Sequence, residues 1–262
     1  MDRITSSKNP MVQRLRDLKN AKARRTEGRF LVEGEVMIRE AIGCGLNIFE
    51  LAADEAHEAF AEEMAAKGAH AAIVSRSLLE SICETQTPQG VCASFEMPAP
   101  LDLDALPDRI VALDGVQDPG NVGTIWRTAD AAGFQALLLG AGSADPLSPK
   151  VQRSAMGSGF RVGFAHTAQL ADTLRMLREN GWRIVASDLK GQDFYKRGDC
   201  GEKFVLIIGN EARGISDAVR DEADCRVRLP MRGGAESLNA AVAAGIMMYE
   251  LMRAYEENHE VQ

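Results

Sequence analysis

The sequence predicts an α/β protein of two domains, the second of which is built on a parallel sheet. Strand-like apolar segments alternate with helical patterns along most of the 262 residues, and this alternation is typical of α/β domains. The strand segments of the second half, such as 109–116 and 203–210, are almost continuously apolar, as in parallel sheets covered by helices on both faces. Between the halves, residues 96–108 contain three prolines and four acidic residues without an apolar period, which predicts a linker.

Residues 1–95 are predicted to form a small α/β domain that begins with a basic helix. Asn9-Pro10 marks the start of that helix, because proline suits the first helical turn. Met11, Leu15 and Leu18 then recur at helical spacing and form one buried face. The apolar pattern predicts the following elements in order: strand and helix over 30–45, strand 48–53, acidic helix 54–68, strand 69–74, helix 77–82 and strand 90–97.

Residues 109–262 are predicted to form the second domain, with five strands and five helices. The apolar runs predict strands at 109–116, 134–140, 183–189, 203–210 and 225–231. Helical patterns lie near 121–132, 149–157, 168–180, 214–222 and 236–256. Since the helices follow the strands one by one, the sheet is expected to be parallel.

The charge of the chain is unevenly distributed. The net charge is −8 and the isoelectric point is near 5.2, which argues against an indiscriminate nucleic-acid binder. Residues 1–29 carry a net charge of +6, however, and the rest of the chain carries −14. The chain is therefore expected to meet an anionic partner at one basic arm and to repel it elsewhere.

Several classes of protein are disfavoured by spacing. The five cysteines and four histidines show no zinc or redox spacing, so no metal site is expected. The dinucleotide-binding, P-loop and nucleophile-elbow patterns are absent.

The N-terminus lacks a signal-peptide core, and no apolar run approaches the roughly 20 residues of a membrane span. A reduced, cytoplasmic protein without a membrane partner is expected.

The loops that leave the strands of the second domain are the first candidates for a functional site, because ligands of open α/β sheets bind beyond the carboxyl ends of the strands. After the first strand, Pro119-Gly120 forces a turn and Asn121 stands where a helix N-cap is expected. Arg127 follows just under two turns along that helix. A capped helix with a solvated arginine explains this segment equally well.

Two further loops carry polar residues. Gly209 and Glu211 end the strand 203–210, where glycine would let a ligand approach the backbone; a turn with surface charges is the alternative. The last helix is expected to begin near Glu236, with Ser237 and Asn239 in its first turn, where free N–H groups favour negative charge. An alanine-rich core helix is the alternative for that segment.

Taken in order, three segments resemble the SpoU (TrmH) family of the SPOUT superfamily of methyltransferases. They are N-V-G-T-I-W-R-T-A-D from residue 121, I-I-G-N-E-A-R-G-I-S from residue 207 and L-P-M-R-G-G-A-E-S-L-N-A-A-V-A from residue 229. This resemblance covers about residues 109–256. The first 95 residues also resemble the small substrate-binding domain of that family, through S-K-N-P from residue 7 and F-L-V-E-G-E from residue 30.

The resemblance implies an S-adenosylmethionine-dependent 2′-O-ribose methyltransferase that acts on ribosomal or transfer RNA. Because the small domain looks like those of ribosomal-RNA enzymes, ribosomal RNA is favoured. The family also implies a deep trefoil knot in the 109–262 SPOUT domain, an exception to ordinary chain connectivity, and a homodimer with active sites near the subunit interface. A non-catalytic RNA-binding or ribosome-assembly factor on the same fold is the alternative.

The resemblance also assigns roles to residues of this sequence. The catalytic group would be Asn121, Arg127, Glu211, Ser237 and Asn239. The cofactor would be bound by Gly209, Leu229, Met231 and Leu238. In the basic arm, phosphates of RNA would be bound by Arg14, Lys19, Lys22, Arg24, Arg25 and Arg29. Since guanidinium does not readily lose its proton in proteins, Arg127 is expected to hold the phosphate and stabilise the developing alkoxide.

Overall fold

The chain, a computed structural model that describes residues 1–85 and 87–259, has two compact units. The first unit consists of Met1–Ala99 and the segment 145–160, and the second consists of Pro100–Ala144 and the described residues from Arg161 onward. The segment 145–160 therefore groups with the first unit, although it lies within the second half of the sequence. The predicted domain boundary at 96–108 stays a prediction. Within the described residues, no helix is long and apolar enough to cross a membrane.

The first unit contains a mixed five-stranded sheet. Its elements up to residue 96 are β1 (Asp2–Ile4), α1 (Pro10–Asp17), α2 (Ala21–Glu27), β2 (Arg29–Glu33), α3 (Glu35–Gly43), β3 (Ile48–Ala53), α4 (Glu58–Ala66), β4 (His70–Val74), α5 (Arg76–Ile82) and β5 (Val91–Glu96). The strand order is β1-β4-β3-β5-β2. β1, β4 and β3 are parallel, whereas β5 is antiparallel to both β3 and β2.

The basic N-terminal region forms two helices, whereas the sequence predicts one helix with a basic extension. α1 buries Met11, Val12 and Leu15 and ends at Asp17. Asn20 then caps α2, because its side chain accepts a hydrogen bond from the backbone N–H of Lys22 at 2.8 Å. Such side-chain bonds to the backbone compete with helix continuation. The basic arm is thus part of the packed unit and not a free extension.

The second unit contains a six-stranded sheet in which every pair of neighbours is parallel. The elements from residue 109 are β6 (Arg109–Asp114), α6 (Pro119–Ala132), β7 (Ala136–Leu139), α7 (Pro149–Ala155, in the first unit), β8 (Gly163–His166), α8 (Leu170–Glu179), β9 (Arg183–Asp193), β10 (Phe204–Gly209), α9 (Asp217–Arg220), β11 (Cys225–Arg228) and α10 (Ala240–His259). The strand order is β11-β9-β10-β6-β7-β8. The predicted α/β class with a parallel sheet is confirmed, and β8 is a strand that the sequence did not indicate.

Helix α6 shows how apolar spacing positions a functional side chain. Val122, Ile125 and Trp126 are fully buried, and the indole Nε1 of Trp126 donates to the carbonyl oxygen of Val162 at 3.0 Å. Because these residues anchor one face of the helix to the unit's core, Arg127 lies on the opposite, exposed face.

Arg24 corrects one predicted RNA contact. Its side chain is only 3% exposed and donates to the carbonyl oxygens of Leu18 and Lys19, both at 2.8 Å. It also contacts the Asp145 carboxylate at 2.5 Å. Since its guanidinium is buried and donates to groups of the same unit, Arg24 is a structural residue that is not accessible to RNA phosphate.

We expect Arg24→Met to lower the free energy of unfolding by about 2–3 kcal/mol, because it leaves two carbonyl groups and a carboxylate without their partner. Urea unfolding followed by circular dichroism measures this. Its neighbour Arg25 is exposed, so Arg25→Met is the matched control and should change stability by less than about 0.5 kcal/mol. Equal effects of the two substitutions would contradict the structural role of Arg24.

Candidate active site

The carboxylate of Glu211 joins two loops at the carboxyl edge of the second sheet. Glu211 follows β10, which lies between β9 and β6. Its Oε2 accepts from the backbone N–H of Gln117 at 3.2 Å, and its Oε1 accepts from the backbone N–H of Asp118 at 3.1 Å. The Asn121 amide donates to the same Oε1 at 2.9 Å. One carboxylate therefore satisfies three donors of the loop and helix that follow β6.

Asn121 extends this network to a third loop. Its Oδ1 accepts a hydrogen bond from Nδ2 of Asn239 at 3.0 Å. Its backbone N–H donates to Oδ1 of Asp118 at 2.9 Å, so Asp118 caps α6 and the expectation that Asn121 is the N-cap is wrong. The helix begins at Pro119, which frees the Asn121 side chain to bridge Glu211 and Asn239.

The start of α10 also differs from the expectation. The helix begins at Ala240 and not near Glu236, because Oδ1 of Asn239 caps it by accepting from the backbone N–H groups of Ala241 at 2.9 Å and Val242 at 3.3 Å. Asn239 therefore precedes the first turn. Ser237 lies two residues further back, in an exposed loop.

The environment of Glu211 keeps its carboxyl group ionised. Partial burial alone would raise its pKa, but the hydrogen bonds from Asn121 and from the backbone N–H groups of Glu211 itself, Asp118 and Gln117 outweigh that effect and lower the pKa below the ordinary value of 4.5. Its lone pairs face donors in the protein, so Glu211 is suited to hold loops in place and poorly suited to accept a substrate proton.

A cavity of about 470 Å³ opens beside this network. Gly209, Leu229, Met231 and Leu238 all line it, as do Glu211, Ser237 and Asn239. Its volume and mixed apolar and polar lining are typical of small-molecule sites. The four residues predicted to bind a cofactor thus share one cavity at the carboxyl edge of a parallel sheet, where ligands of such folds bind.

Gly209 has a different local role from the expected one. A Cβ at this position would overlap the backbone of Gly214 and Ile215. The absent side chain therefore makes room for the turn that returns from residue 214, where Asn210 and Gly214 pair as an isolated bridge. Gly214 has a φ of +69°, a conformation that favours glycine. Gly209 shapes the cavity wall by letting its own loop fold back tightly.

One side of the cavity is formed by residues that the sequence motifs do not include. Ser187, Asp188, Leu189 and Lys190 line it from β9. Oδ1 of Asp188 accepts from the backbone N–H of Lys190 at 2.9 Å, and its Oδ2 lies 3.1 Å from Nε of Arg220. The sequence does contain a signal for these residues, because they follow the apolar run of β9. Neighbouring parallel strands end at the same edge of a sheet, where the site is expected.

Arg127 is not among the residues that line this cavity. It is exposed on α6, and within the described part of the chain no side chain or carbonyl group is bonded to its guanidinium. Four of the five predicted catalytic residues therefore lie together: hydrogen bonds link Asn121, Glu211 and Asn239, and Ser237 lines the same cavity. The guanidinium of Arg127 is left available to a ligand.

The predicted RNA-binding residues of the first unit differ in their availability. Arg14 donates to the carboxylate of Glu50 at 2.5 Å, and Lys19 donates to the carbonyl oxygen of Ser81 at 2.8 Å. Arg29 stacks 3.9 Å above the ring of Phe49 and lies 3.7 Å from Glu50. In contrast, Lys22 and Arg25 are exposed, and neither side chain has a partner in the described residues.

Comparison with known proteins identifies the family. A model described as the SpoU rRNA Methylase family matches residues 108–249, and one described as an MRM3-like substrate binding domain matches residues 9–93. The chain belongs to the SpoU rRNA methylase family. The resemblance carried by the three sequence segments is therefore confirmed.

Known methyltransferases are similar to this chain over nearly its full length. The sequence is 35% identical over 251 residues to the 23S rRNA (guanosine(2553)-2′-O)-methyltransferase RlmP of Bacillus subtilis, which covers 96% of this chain and 99% of that protein. The structure is similar to an AdoMet-bound rRNA methyltransferase from Sinorhizobium meliloti, with a TM-score of 0.85, 35% identity and coverage of 96% and 97% of the two chains.

A second solved structure is the SpoU methyltransferase AviRb from Streptomyces viridochromogenes in complex with AdoMet. It has a TM-score of 0.84 and 33% identity, and the alignment covers 95% of this chain and 98% of that one. Two solved structures that are similar to this chain over nearly its full length are therefore complexes with AdoMet. Within residues 1–85 and 87–259, no three His, Cys, Asp or Glu side chains are grouped so that they could hold a metal ion.

We expect Glu211→Gln to destabilise the protein most at neutral pH. The folded-state pKa of Glu211 is lowered, so its stabilising contribution is complete above the ordinary value of 4.5 and is lost as the pH falls through the lower folded value. The difference in unfolding free energy between wild type and variant should therefore shrink on acidification. Denaturant unfolding at a series of pH values measures it.

Glu236→Gln is the matched control for this experiment. Glu236 is an exposed glutamate near the same cavity, and within the described residues its carboxylate has no partner. Its replacement should leave stability unchanged at every pH. A Glu211 variant whose stability loss is independent of pH would contradict the role of the ionised carboxylate.

Proposed function

We propose that this protein transfers the methyl group of S-adenosylmethionine to a ribose 2′-hydroxyl of RNA, with ribosomal RNA as the favoured substrate. The observation that carries the proposal is the network of Glu211, Asn121 and Asn239. It joins the three segments on which the family resemblance rests, and it does so beside one cavity. Relatives named as 23S ribosomal RNA 2′-O-methyltransferases support the substrate class.

The cavity suits the proposed cofactor. Its volume of about 470 Å³ is in the range for a ligand of that size. Leu229, Met231 and Leu238 offer apolar contacts and backbone groups to an adenosine moiety, and Gly209 lines the same wall. When bound, S-adenosylmethionine supplies an electrophilic methyl group on a positively charged sulfur. The two AdoMet-bound relatives support this assignment.

Arg127 is the residue we assign to the acceptor nucleotide. Its guanidinium is exposed and unpaired within the described chain, and it lies on the helix that Asp118 caps beside the network. A guanidinium fork can bind a phosphate bidentately and stabilise the negative charge that develops on the 2′-oxygen. The proton of the hydroxyl would then leave to phosphate or water, since a guanidinium group is not a general base in proteins.

The remaining polar residues position the site. Glu211 holds the loop after β6, and Asn239 links that loop to the start of α10. Ser237, exposed at the cavity, is available to the ribose or to the cofactor. In these assignments Arg127 contacts the RNA and Ser237 contacts the ribose or the cofactor, while Asn121, Glu211 and Asn239 hold the surrounding loops.

RNA would also contact the first unit. Lys22 and Arg25 are the members of the predicted basic set that present free cationic groups, and the match of residues 9–93 to a substrate-binding domain supports this surface. We include in the proposal the deep trefoil knot that the family resemblance implies for the second unit. A ribosomal RNA substrate also supports a cytoplasmic location.

A homodimer completes the proposal. Val242, Ile246 and Tyr249 are spaced along one face of α10, and each is more than a third exposed. Exposed apolar residues that share one helix face are typical of an interface between proteins. α10 also packs against α6, the helix that carries Arg127, through Gly245 and Thr128. A dimer formed through α10 would therefore lie close to Arg127.

The proposed reaction is tested with the purified protein, S-adenosylmethionine carrying a labelled methyl group and an unmodified transcript of large-subunit ribosomal RNA. Digestion to nucleosides should yield a labelled 2′-O-methylnucleoside. A labelled base would contradict the assignment to ribose. Tight RNA binding without cofactor binding or methyl transfer would favour the non-catalytic assembly factor.

We expect Arg127→Ala to lower kcat by about 10²–10³-fold with little change in cofactor affinity, because it removes charge stabilisation at the acceptor. Arg127→Lys should recover only part of the activity, since an ammonium group cannot form the bidentate contact. Single-turnover methyl transfer and calorimetry of S-adenosylmethionine binding measure the two effects separately. Lys196→Ala, at an exposed cation on another segment, is the control. Loss of cofactor binding in Arg127→Ala would refute the assignment.

We expect Ile246→Glu to convert the protein to a monomer, because it places a charge in the apolar face of α10. Light scattering coupled to size-exclusion chromatography gives the molar mass directly. Glu256→Ala, an exposed position on the last turns of α10, should leave the mass unchanged. A wild-type protein that elutes as a monomer of 28.4 kDa would exclude the proposed dimer.

A further inference from the structure

Three cationic side chains at the cavity are unpaired. Lys190, Arg213 and Arg228 line it and are exposed, and within the part of the chain that the structure describes their charged groups have no partner. Two other arginines of the second unit, Arg175 and Arg178, in contrast both contact the carboxylate of Glu222. The cavity rim is thus a place where positive charge is left uncompensated.

Two of these cations, Lys190 and Arg228, lie next to a close backbone contact between β9 and β11. β11 pairs with β9 through a register shift between Arg226 and Val227. A Cβ at Gly191 would overlap the backbone of Arg226 and Val227, so glycine lets the two strands approach closely there. Lys190 directly precedes Gly191 in β9, and Arg228 directly follows Val227 in β11. In β11, residues 225 and 227 are buried and residues 226 and 228 are exposed, so Arg228 points away from the core.

Arg213 extends from a tightly held turn. Oδ1 of Asn210 accepts from the backbone N–H groups of Ala212 at 3.0 Å and Arg213 at 3.1 Å. The pairing of Asn210 with Gly214 closes the same turn. The backbone of Arg213 is therefore fixed, while its guanidinium extends freely beside the cavity. A fixed backbone reduces the entropy cost of binding through that side chain.

The charge of the surrounding chain makes this cluster selective. Residues 30–262 carry a net charge of −14, so most of the surface beyond the basic arm repels a polyanion. Free cations at one place attract it there. The shared ligand chemistry is an anionic oxygen, of phosphate or of carboxylate. Three separate cations exceed what a single cofactor carboxylate needs, whereas a nucleic-acid strand offers one phosphate per nucleotide to such a set.

We propose that Lys190, Arg213 and Arg228 form an anion-binding rim that holds backbone phosphates of the RNA next to the site of methyl transfer. This inference rests on the proposed function. It adds to the basic arm a second RNA contact, located in the unit that carries out the reaction. The rim would fix the acceptor strand over the cavity, while Lys22 and Arg25 bind RNA from the first unit.

The test is the salt dependence of RNA binding by the variant Lys190→Gln/Arg213→Gln/Arg228→Gln. Each cation that contacts single-stranded RNA contributes about 0.7 to the slope of log K against log salt concentration. Fluorescence anisotropy with a short labelled RNA of mixed sequence should therefore give a slope smaller by about 2 for the triple variant. Calorimetry should show unchanged affinity for S-adenosylmethionine, and circular dichroism an unchanged fold.

Two controls separate charge from structure. Arg213→Lys/Arg228→Lys keeps the charges and should retain the wild-type slope. Arg183→Gln removes an exposed arginine at the amino end of β9, the opposite end of the strand from Lys190, and should also retain it.

The outcomes distinguish this inference from the proposed function. A wild-type enzyme that methylates RNA, together with a triple variant of unchanged slope, would overturn the rim and leave the proposed function standing. A triple variant that loses affinity for S-adenosylmethionine while the RNA slope is retained would assign the rim to the cofactor carboxylate and overturn the RNA contact. A wild-type protein without RNA binding would overturn both.

Discussion

The hydrogen-bonded carboxylate of Glu211 is the interaction on which the rest of the site depends. It follows the central strand β10 and fixes the loop after β6 through two backbone N–H groups and the amide of Asn121. Asn121 in turn accepts from Asn239, which caps α10. Because Asn121 uses both ends of its amide, aspartate in its place would break one of the two links and leucine would break both. Three segments far apart in sequence are thereby held in one geometry.

The same network separates rigid from adaptable parts of the site. Its members anchor the loops that follow β6 and β10, whereas Ser237, Leu238, Arg127 and the rim cations are exposed at its border. Catalysis by positioning requires fixed groups around the reacting atoms. Recognition of a long polyanion requires charged side chains that extend outward from a fixed backbone. Glu211 holds the loop after β6, and its lowered pKa keeps the carboxylate a hydrogen-bond acceptor at neutral pH.

The sequence predicted the parallel sheet, and most of the site residues that it indicated lie together in the structure, but their local hydrogen bonds differ from the expectations. Apolar runs such as 109–116 and 203–210 located strands because burial on both faces leaves a continuous pattern. β8 was missed, since it has only four residues, Gly163–His166, and little apolar content. The N-cap of α6 was misassigned because Asp118 and Asn121 are both good caps, and only the structure shows which side chain turns back to the helix. Burial of Arg24 depended on Asp145, a partner that no local pattern reveals.

The contacts of the basic arm change how the charge of the chain is interpreted. Most of the basic arm is bonded to other groups of the first unit, as Arg14, Lys19 and Arg24 show, so fewer cations remain for RNA than a count suggests.

The most direct test of the account is a map of 2′-O-methyl groups in total RNA from a strain lacking this gene. One ribose methylation in ribosomal RNA should disappear and return with the wild-type gene but not with an Arg127→Ala copy. An unchanged methylation map would contradict the account.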